Sequence, residues 1–450
     1  MDLREPLPAA AALASGALAG FVLTNPRSRA WTINASDREI DRWISSQPTG
    51  VAVALVLAVI AVAGLQRSGS RRTAWVVCAV CALALIGARW AVPHVGGIDI
   101  LIALHFAKTA AAGVLLGASV AAVWGRRPSQ LSLTLGVASA FLLASVQRLP
   151  RGEAAYLEPT AMSTSAIGEP PVWLLIAVVA LAVVSAALAQ PQFRVQRPDR
   201  RILLAAMAGA LALALLNRLL GAWIEDQEFG EPLTIWLIVF FALVLVLACT
   251  EVVARRFPGT DGRFLLAATG VTAAAVPVLD HLRNPIVTTP APLVLGVGVL
   301  SLAAGIVVSV RVPSEHRLPE RGLCVAALVP AVSTVWPMLG NDGVGLLGRL
   351  VVLGAGAGFA LASALPGSAP VAALGSALPF ASLVFVAATT VPRSLVVYAS
   401  PGFEVSIVPS PASTAAADHL AGFAMLIVVA YCASSIRARR GTPEHTEPRT

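Results

Sequence analysis

Seven ionisable side chains fall inside long apolar stretches of this chain: Arg89, His105, Lys108, Arg218, Glu251, Asp280 and Arg349. A charge at the centre of a bilayer costs roughly 2.5–3.5 kcal/mol on insertion scales, so each one needs a reason to be there. His105 and Lys108 stand three residues apart and share one face of a helix. Imidazole titrates near neutral pH, so the pair could relay protons or hold an anionic or lipid-phosphate group. Equally, His105 could lie close to the outer interface while Lys108 snorkels or bonds a carbonyl. Arg349, one turn into its stretch, either faces a cavity or anchors at the interface. Asp280 and His281, beside Arg283, form an outer gate or cap a helix end before Asn284-Pro285. Arg218, with Asn217 next to it, is expected to pair with Glu251 or with an external acid. Glu251 is within a turn of Arg255 and Arg256, which also suits a solvated pair at a helix end. Arg89 is expected to snorkel.

Two other groups could do chemistry. Asp37, Glu39 and Asp41 crowd the first external segment and could bind a metal or supply a base. They alternate with Arg38 and Arg42, which fits a solvated helix. Ser36 followed by Glu39 also fits a capping box, and Ile40, Trp43 and Ile44 then share an apolar face. Cys78 and Cys81 form a C-x-x-C pair, but inside an apolar run, where small-residue packing is the expected use. No phosphate loop, zinc motif or serine elbow occurs in a loop long enough to hold a catalytic domain. Neither a metal nor a cofactor is expected.

The elements that carry these residues follow from composition. Of 450 residues, 57% are hydrophobic and 12% are charged. A soluble domain carries about 25% charged residues, so a soluble enzyme is excluded. A span needs about 20 apolar residues, with a range of roughly 17–25. Runs of that kind occur at 8–24, 50–65, 74–93, 100–124, 129–147, 172–190, 202–223, 233–253, 264–280, 290–310, 322–339, 345–365, 369–390 and 418–436. The expected fold is therefore an all-α polytopic membrane protein with 14 transmembrane helices. The net charge of +8 is distributed in keeping with this. With the N-terminus inside, 20 of the 32 basic residues fall in inside segments, 8 outside and 4 within spans. Arginine is retained on the cytoplasmic side during insertion, so both termini are expected to be cytoplasmic. The tail Arg437-Ala438-Arg439-Arg440 reads as an anchor on anionic headgroups rather than a nucleic-acid patch. The segments Arg148–Pro171 and Val391–Ala417, rich in Pro, Ser, Thr and Ala, read as surface loops.

Between spans two and three the chain reads Ala63-Gly64-Leu65-Gln66-Arg67-Ser68-Gly69-Ser70-Arg71-Arg72. This resembles the signature loop of the major facilitator superfamily, with Gly64, Arg67, Gly69, Arg71 and Arg72 at or near the expected places and Gln66 where the family has aspartate. His105-Phe106-Ala107-Lys108-Thr109-Ala110-Ala111-Ala112-Gly113 resembles the fourth-helix motif, with His105 in place of an arginine. Gly354-Ala355-Gly356-Ala357-Gly358 looks like the glycine-rich helix of the second half. Fourteen helices are what the drug:proton antiporter branch has. By that resemblance, residues 1–190 form an N-terminal six-helix bundle, 191–263 a two-helix insert, 264–436 a C-terminal six-helix bundle and 437–450 a cytoplasmic tail. The acid that the branch carries in span one is absent here, and the fifth-helix glycine and proline pattern is missing.

The resemblance implies a secondary transporter of a bacterial plasma membrane that exports an amphipathic small molecule or a lipid by alternating access, not an enzyme. His105, Lys108, Arg349 and Asp280 are its substrate or proton-pathway candidates. Arg67–Arg72 is a gating loop that contacts a neighbouring helix end. Gly113/Gly117 and Gly354/Gly358 are close-packing pairs. Two other readings stay open: a degenerate facilitator that scaffolds a membrane-protein complex, and a lipid-linked-sugar glycosyltransferase using Asp37, Glu39 and Asp41. The lipid bilayer is an expected partner; nucleic acid is not.

Overall fold

The computed structural model describes residues 6–24, 36–92, 97–146, 169–189, 199–227, 231–282, 289–337, 339, 342–390, 395–399, 405–409 and 411–439. Almost all of them are helical. The helices are α1 (Pro6–Thr24), α2 (Asp37–Ser68), α3 (Arg71–Ala91), α4 (Ile98–Val123), α5 (Arg127–Leu143), α6 (Val172–Leu188), α7 (Arg200–Glu225) and α8 (Pro232–Arg255). They continue as α9 (Gly259–Leu282), α10 (Ala291–Arg311), α11 (Pro319–Ala326), α12 (Leu328–Val335), α13 (Gly343–Ser363), α14 (Ala369–Ala381), α15 (Leu383–Thr390) and α16 (Pro411–Ala438). Among the described residues, twelve helical segments are long and apolar enough to cross a membrane. Side chains such as Val80, Leu237 and Phe240 point outward into what must be lipid. The chain is a multi-pass membrane protein.

The other two expected spans are shorter or broken. The run at 172–190 is the 17-residue helix α6. The run at 322–339 is the pair α11 and α12, interrupted at Ala327. Pro330 lacks the N–H that would bond the carbonyl four residues back, which explains the break. Pro379 likewise precedes the break at Ser382 between α14 and α15, where the Ser382 hydroxyl donates to the Leu378 carbonyl (2.9 Å). The expected loop at Val391–Ala417 is also corrected. Leu395–Ala399 (β1) and Val405–Pro409 (β2) pair antiparallel, Val397 opposite Ile407, and α16 starts at Pro411.

The first six helices pack in the pairs α1–α5, α2–α4, α3–α4, α3–α6, α1–α4 and α1–α6. The same six pairs recur from α9 onward when α9 stands for α1, α10 for α2, α11 with α12 for α3, α13 for α4, α14 with α15 for α5 and α16 for α6. Contacts between the two sets obey the same exchange. The α2–α14 contact maps onto α10–α5, α4–α14 onto α13–α5, and α1–α14 onto α9–α5. Helix α7 lies over the α2–α14 seam, touching α2, α14 and α15, while α8 packs on α7, α9 and α15.

Glycines set these approaches. A Cβ at Gly113 or Gly117 of α4 would run into the Ala54 or Ala58 carbonyl of α2. A Cβ at Gly354 or Gly358 of α13 would meet Ser301 or the Leu302 carbonyl of α10. Both glycine pairs therefore act in the same contact of their own set, as small residues do where backbones must touch.

Candidate functional site

A narrow cavity of about 30 Å³ lies between the two sets. Thr134, Val137, Ala138, Phe141 and Leu142 of α5 line one side. Phe264, Ala268 and Val271 of α9, Ala357 and Leu361 of α13, and Gly375, Ser376 and Pro379 of α14 line the other. The lining begins at Thr134 and Gly375, roughly 10 Å from the starts of α5 and α14 at 1.5 Å per residue, and runs on to Leu142 near the end of α5, so the cavity begins near the end with the short arginine-bearing turns and reaches past mid-depth. Its walls carry no ionisable group. The Thr134 hydroxyl is already committed to the Gln130 carbonyl (3.0 Å). Towards the other end, Phe141 and Phe380 meet edge to face with ring centroids 5.5 Å apart, closing the gap between α5 and α14. Its apolar lining suits an apolar or weakly polar guest, and in this conformation the space admits only a few water-sized groups.

None of the four candidates from the sequence lines this cavity. His105 is 4% exposed, and its Nε2 edge lies where a Cβ at Gly50 of α2 would be. Lys108 reaches Glu169, just before α6 (Nζ–O 4.0 Å). Arg349 donates to the Ser333 hydroxyl of α12. Asp280 is half-buried in the last turn of α9. His105 and Lys108 share α4, but Arg349 is held within the second set by α12.

The expectations for Arg89 and Arg218 are replaced, and the expected pairing of Glu251 with Arg255 is present and extended. Arg89 does not snorkel: its guanidinium donates to the Pro170 carbonyl (2.7 Å) and lies 3.6 Å from Glu169. Arg218 donates to the Thr49 hydroxyl of α2 (3.0 Å) and, among the described residues, pairs with neither Glu251 nor another acid. Glu251 binds Arg255 (2.9 Å) and also Arg439 (3.0 Å), which donates to the Ala254 carbonyl as well. Arg439 thus ties the end of α16 to α8 instead of reaching for headgroups.

The gating-motif residues divide. Helix α2 runs on to Ser68, and Gly69 closes it in the left-handed region (φ 65°), its N–H bonding the Leu65 carbonyl. Gly64 has open space around its α-carbon, and Arg67 and Arg72 are exposed. Arg71 is buried and donates to the Trp124 carbonyl at the end of α4 (2.6 Å). That is a contact with a neighbouring helix end, and it stays inside the first set. Asp261, in the first turn of α9, accepts from the N–H groups of Gly367 (2.5 Å) and Ser368 (3.1 Å), which precede α14.

Ser36 and Glu39 form the expected capping box, with Glu39 accepting from the Ser36 N–H (2.8 Å) and hydroxyl (2.7 Å). The side chains of Asp37, Ile40, Asp41 and Ile44 lie outside the described residues. Cys78 is buried, its sulfur 3.5 Å from the Ser119 hydroxyl of α4, in line with a packing use. Sequence reasoning missed Glu169 altogether, because it ends a segment of loop composition. Its position three residues before an apolar run, ahead of Pro170-Pro171, was the available signal. Compared with known proteins, the chain matches no family model and no curated protein.

Proposed function

We propose that the protein is a secondary carrier of a bacterial plasma membrane. It exports a small apolar or amphipathic compound, or a lipid, by rocking two six-helix bundles about the cavity between them. In this reading the chain crosses the membrane fourteen times, both termini are cytoplasmic, residues 1–190 and 264–436 are the two bundles, and α7 with α8 is the insert. The proposed architecture resembles the fourteen-helix branch of the major facilitator superfamily. One observation carries the reading: the cavity lies at an interface that maps onto itself when the two helix sets are exchanged. Two parallel repeats that face each other across a shared space can tilt against one another and open that space to one side or the other.

The test places Ala138→Cys and Ala268→Cys separately in a background free of the five natural cysteines. A membrane-impermeant maleimide is then applied to right-side-out and inverted vesicles. The expected result is labelling from both faces, with rates that change in opposite directions when an apolar export substrate such as N-phenyl-1-naphthylamine is bound. Labelling confined to one face under every condition would overturn the carrier reading.

A further inference from the structure

Three acidic residues are buried among the described residues: Glu169, Glu251 and Asp261. Two of them have a structural explanation on the page. Glu251 is hydrogen-bonded by two arginines, and Asp261 is hydrogen-bonded by two backbone N–H groups. Glu169 has no such explanation. Its side chain is 4% exposed, and Arg89 and Lys108 approach only to 3.6 and 4.0 Å. Its buried Oε1 has no hydrogen-bond partner. Burying an acceptor without a hydrogen bond costs about 1–3 kcal/mol, and more when it is charged. A carboxylate tied by charge alone, with one oxygen left unbonded, can hold its helices while ionised and release them on gaining a proton.

We propose that Glu169 is a proton-binding site of the carrier, loaded from the side where α3 ends and α6 begins. The proposal rests on the carrier reading. Among the described residues, the groups that face Glu169 are Arg89 from α3 and Lys108 from α4. Helices α1 and α6, which pack against each other and flank the site, contain no ionisable residue. His105, one turn from Lys108, is turned to Gly50 of α2. With Glu169 ionised, the cluster of two cations and one anion carries a net charge of +1. A proton taken from the medium onto a carboxylate oxygen raises it to +2 and removes the anion that Arg89 and Lys108 share. The cations then repel, and α3, α4 and the start of α6 lose their common ionic tie. Loss of the proton restores it. Burial pushes the Glu169 carboxyl above the usual carboxylate range, while Lys108 and Arg89 pull it back, which brings the exchange closer to neutral pH.

The test uses the full chain in lipid nanodiscs and pH-difference infrared spectroscopy. Acidification is expected to raise a carboxylic-acid carbonyl band that is missing in Glu169→Gln. In Lys108→Gln the midpoint of that band should move up by about one pH unit, because a cation that favours the ionised form is gone. Spectra that are the same in the parent and Glu169→Gln overturn the proposal. If Glu169→Gln does not insert, an unmoved midpoint in Lys108→Gln overturns it instead. A band that titrates while the cavity cysteines react from one face only would sink the carrier reading and leave the proton site standing.

Discussion

Lys108 and Arg349 are counterparts in the two helix sets. Each stands five residues before the first glycine of a pair spaced by four, Gly113/Gly117 in α4 and Gly354/Gly358 in α13. Each pair seats its helix on the equivalent partner, α2 or α10. Neither cation lines the cavity between the sets: Lys108 reaches Glu169 before α6, and Arg349 reaches Ser333 of α12. Placed this way, the two cations brace their own bundles instead of meeting over a shared substrate.

Removing one partner of a buried ion pair leaves an uncompensated charge, at about 3–5 kcal/mol. Lys108→Met should therefore lower the thermal midpoint of the purified protein sharply. Lys108→Met with Glu169→Gln should recover part of the loss. A double-mutant cycle checks this. A coupling below about 0.5 kcal/mol would mean that the pair does not act as one.

The glycines should divide by their surroundings. Gly117→Ala and Gly358→Ala force a methyl group onto a neighbouring carbonyl, and folded yield should fall steeply in both. Gly64→Ala, with open space around it in the interior of α2, should be neutral or stabilising by up to about 1 kcal/mol. Size-exclusion profiles and melting midpoints of the three variants settle the comparison.

Arg71 is the arginine of its turn whose contact is buried. Hydrogen bonds to charged groups contribute about 1.5–3 kcal/mol, so Arg71→Gln should destabilise by that order. Arg67→Gln and Arg72→Gln should change melting by less than about 0.5 kcal/mol.

The start of α2 should depend on pH. The Ser36 hydroxyl and N–H hold the Glu39 carboxyl below the usual carboxylate range. A depressed carboxyl contributes stability that is fully present above its unfolded-state value and is lost as pH falls through its folded-state value. Amide protection factors over residues 37–44, which take out the pH dependence of intrinsic exchange, should therefore fall on acidification. In Glu39→Gln that pH dependence should disappear, and a retained dependence would remove the capping box as its cause.

Filling the cavity should separate stability from transport. Ala268→Val narrows a space whose apolar walls already stand close, so the melting midpoint should shift little while efflux of an apolar dye from proteoliposomes falls at least tenfold. Unchanged efflux would move the substrate path elsewhere.

Much of this architecture could be read from the chain, for a local reason. Apolar runs mark the membrane segments, and Pro330 and Pro379 mark where two of them break. The hairpin could have been read as well: Leu395–Val397 and Val405–Ile407 are rich in β-branched residues on either side of a Pro-Gly pair, a strand signal that the loop-like composition around them hid. Partner choice was out of reach. Arg218 and Thr49 are 169 residues apart, and nothing local to either distinguishes a hydroxyl on α2 from a carboxylate on α8. Glu169 failed to stand out for the same reason, since its burial comes from α3 and α4 closing over it.

Helix α7 bonds to α2 through Arg218, and one turn later Gly221 seats against Leu383 of α15. It is stitched to both bundles along a single edge, like the spine of a book. Pages bound at the spine part at the fore-edge, so, should the bundles rock as proposed, the widest excursion is expected at the α5–α10 margin, which no helix bridges among the described residues. The two margins of the molecule, matched in their helix contacts, are thereby made unequal in how freely they can gape.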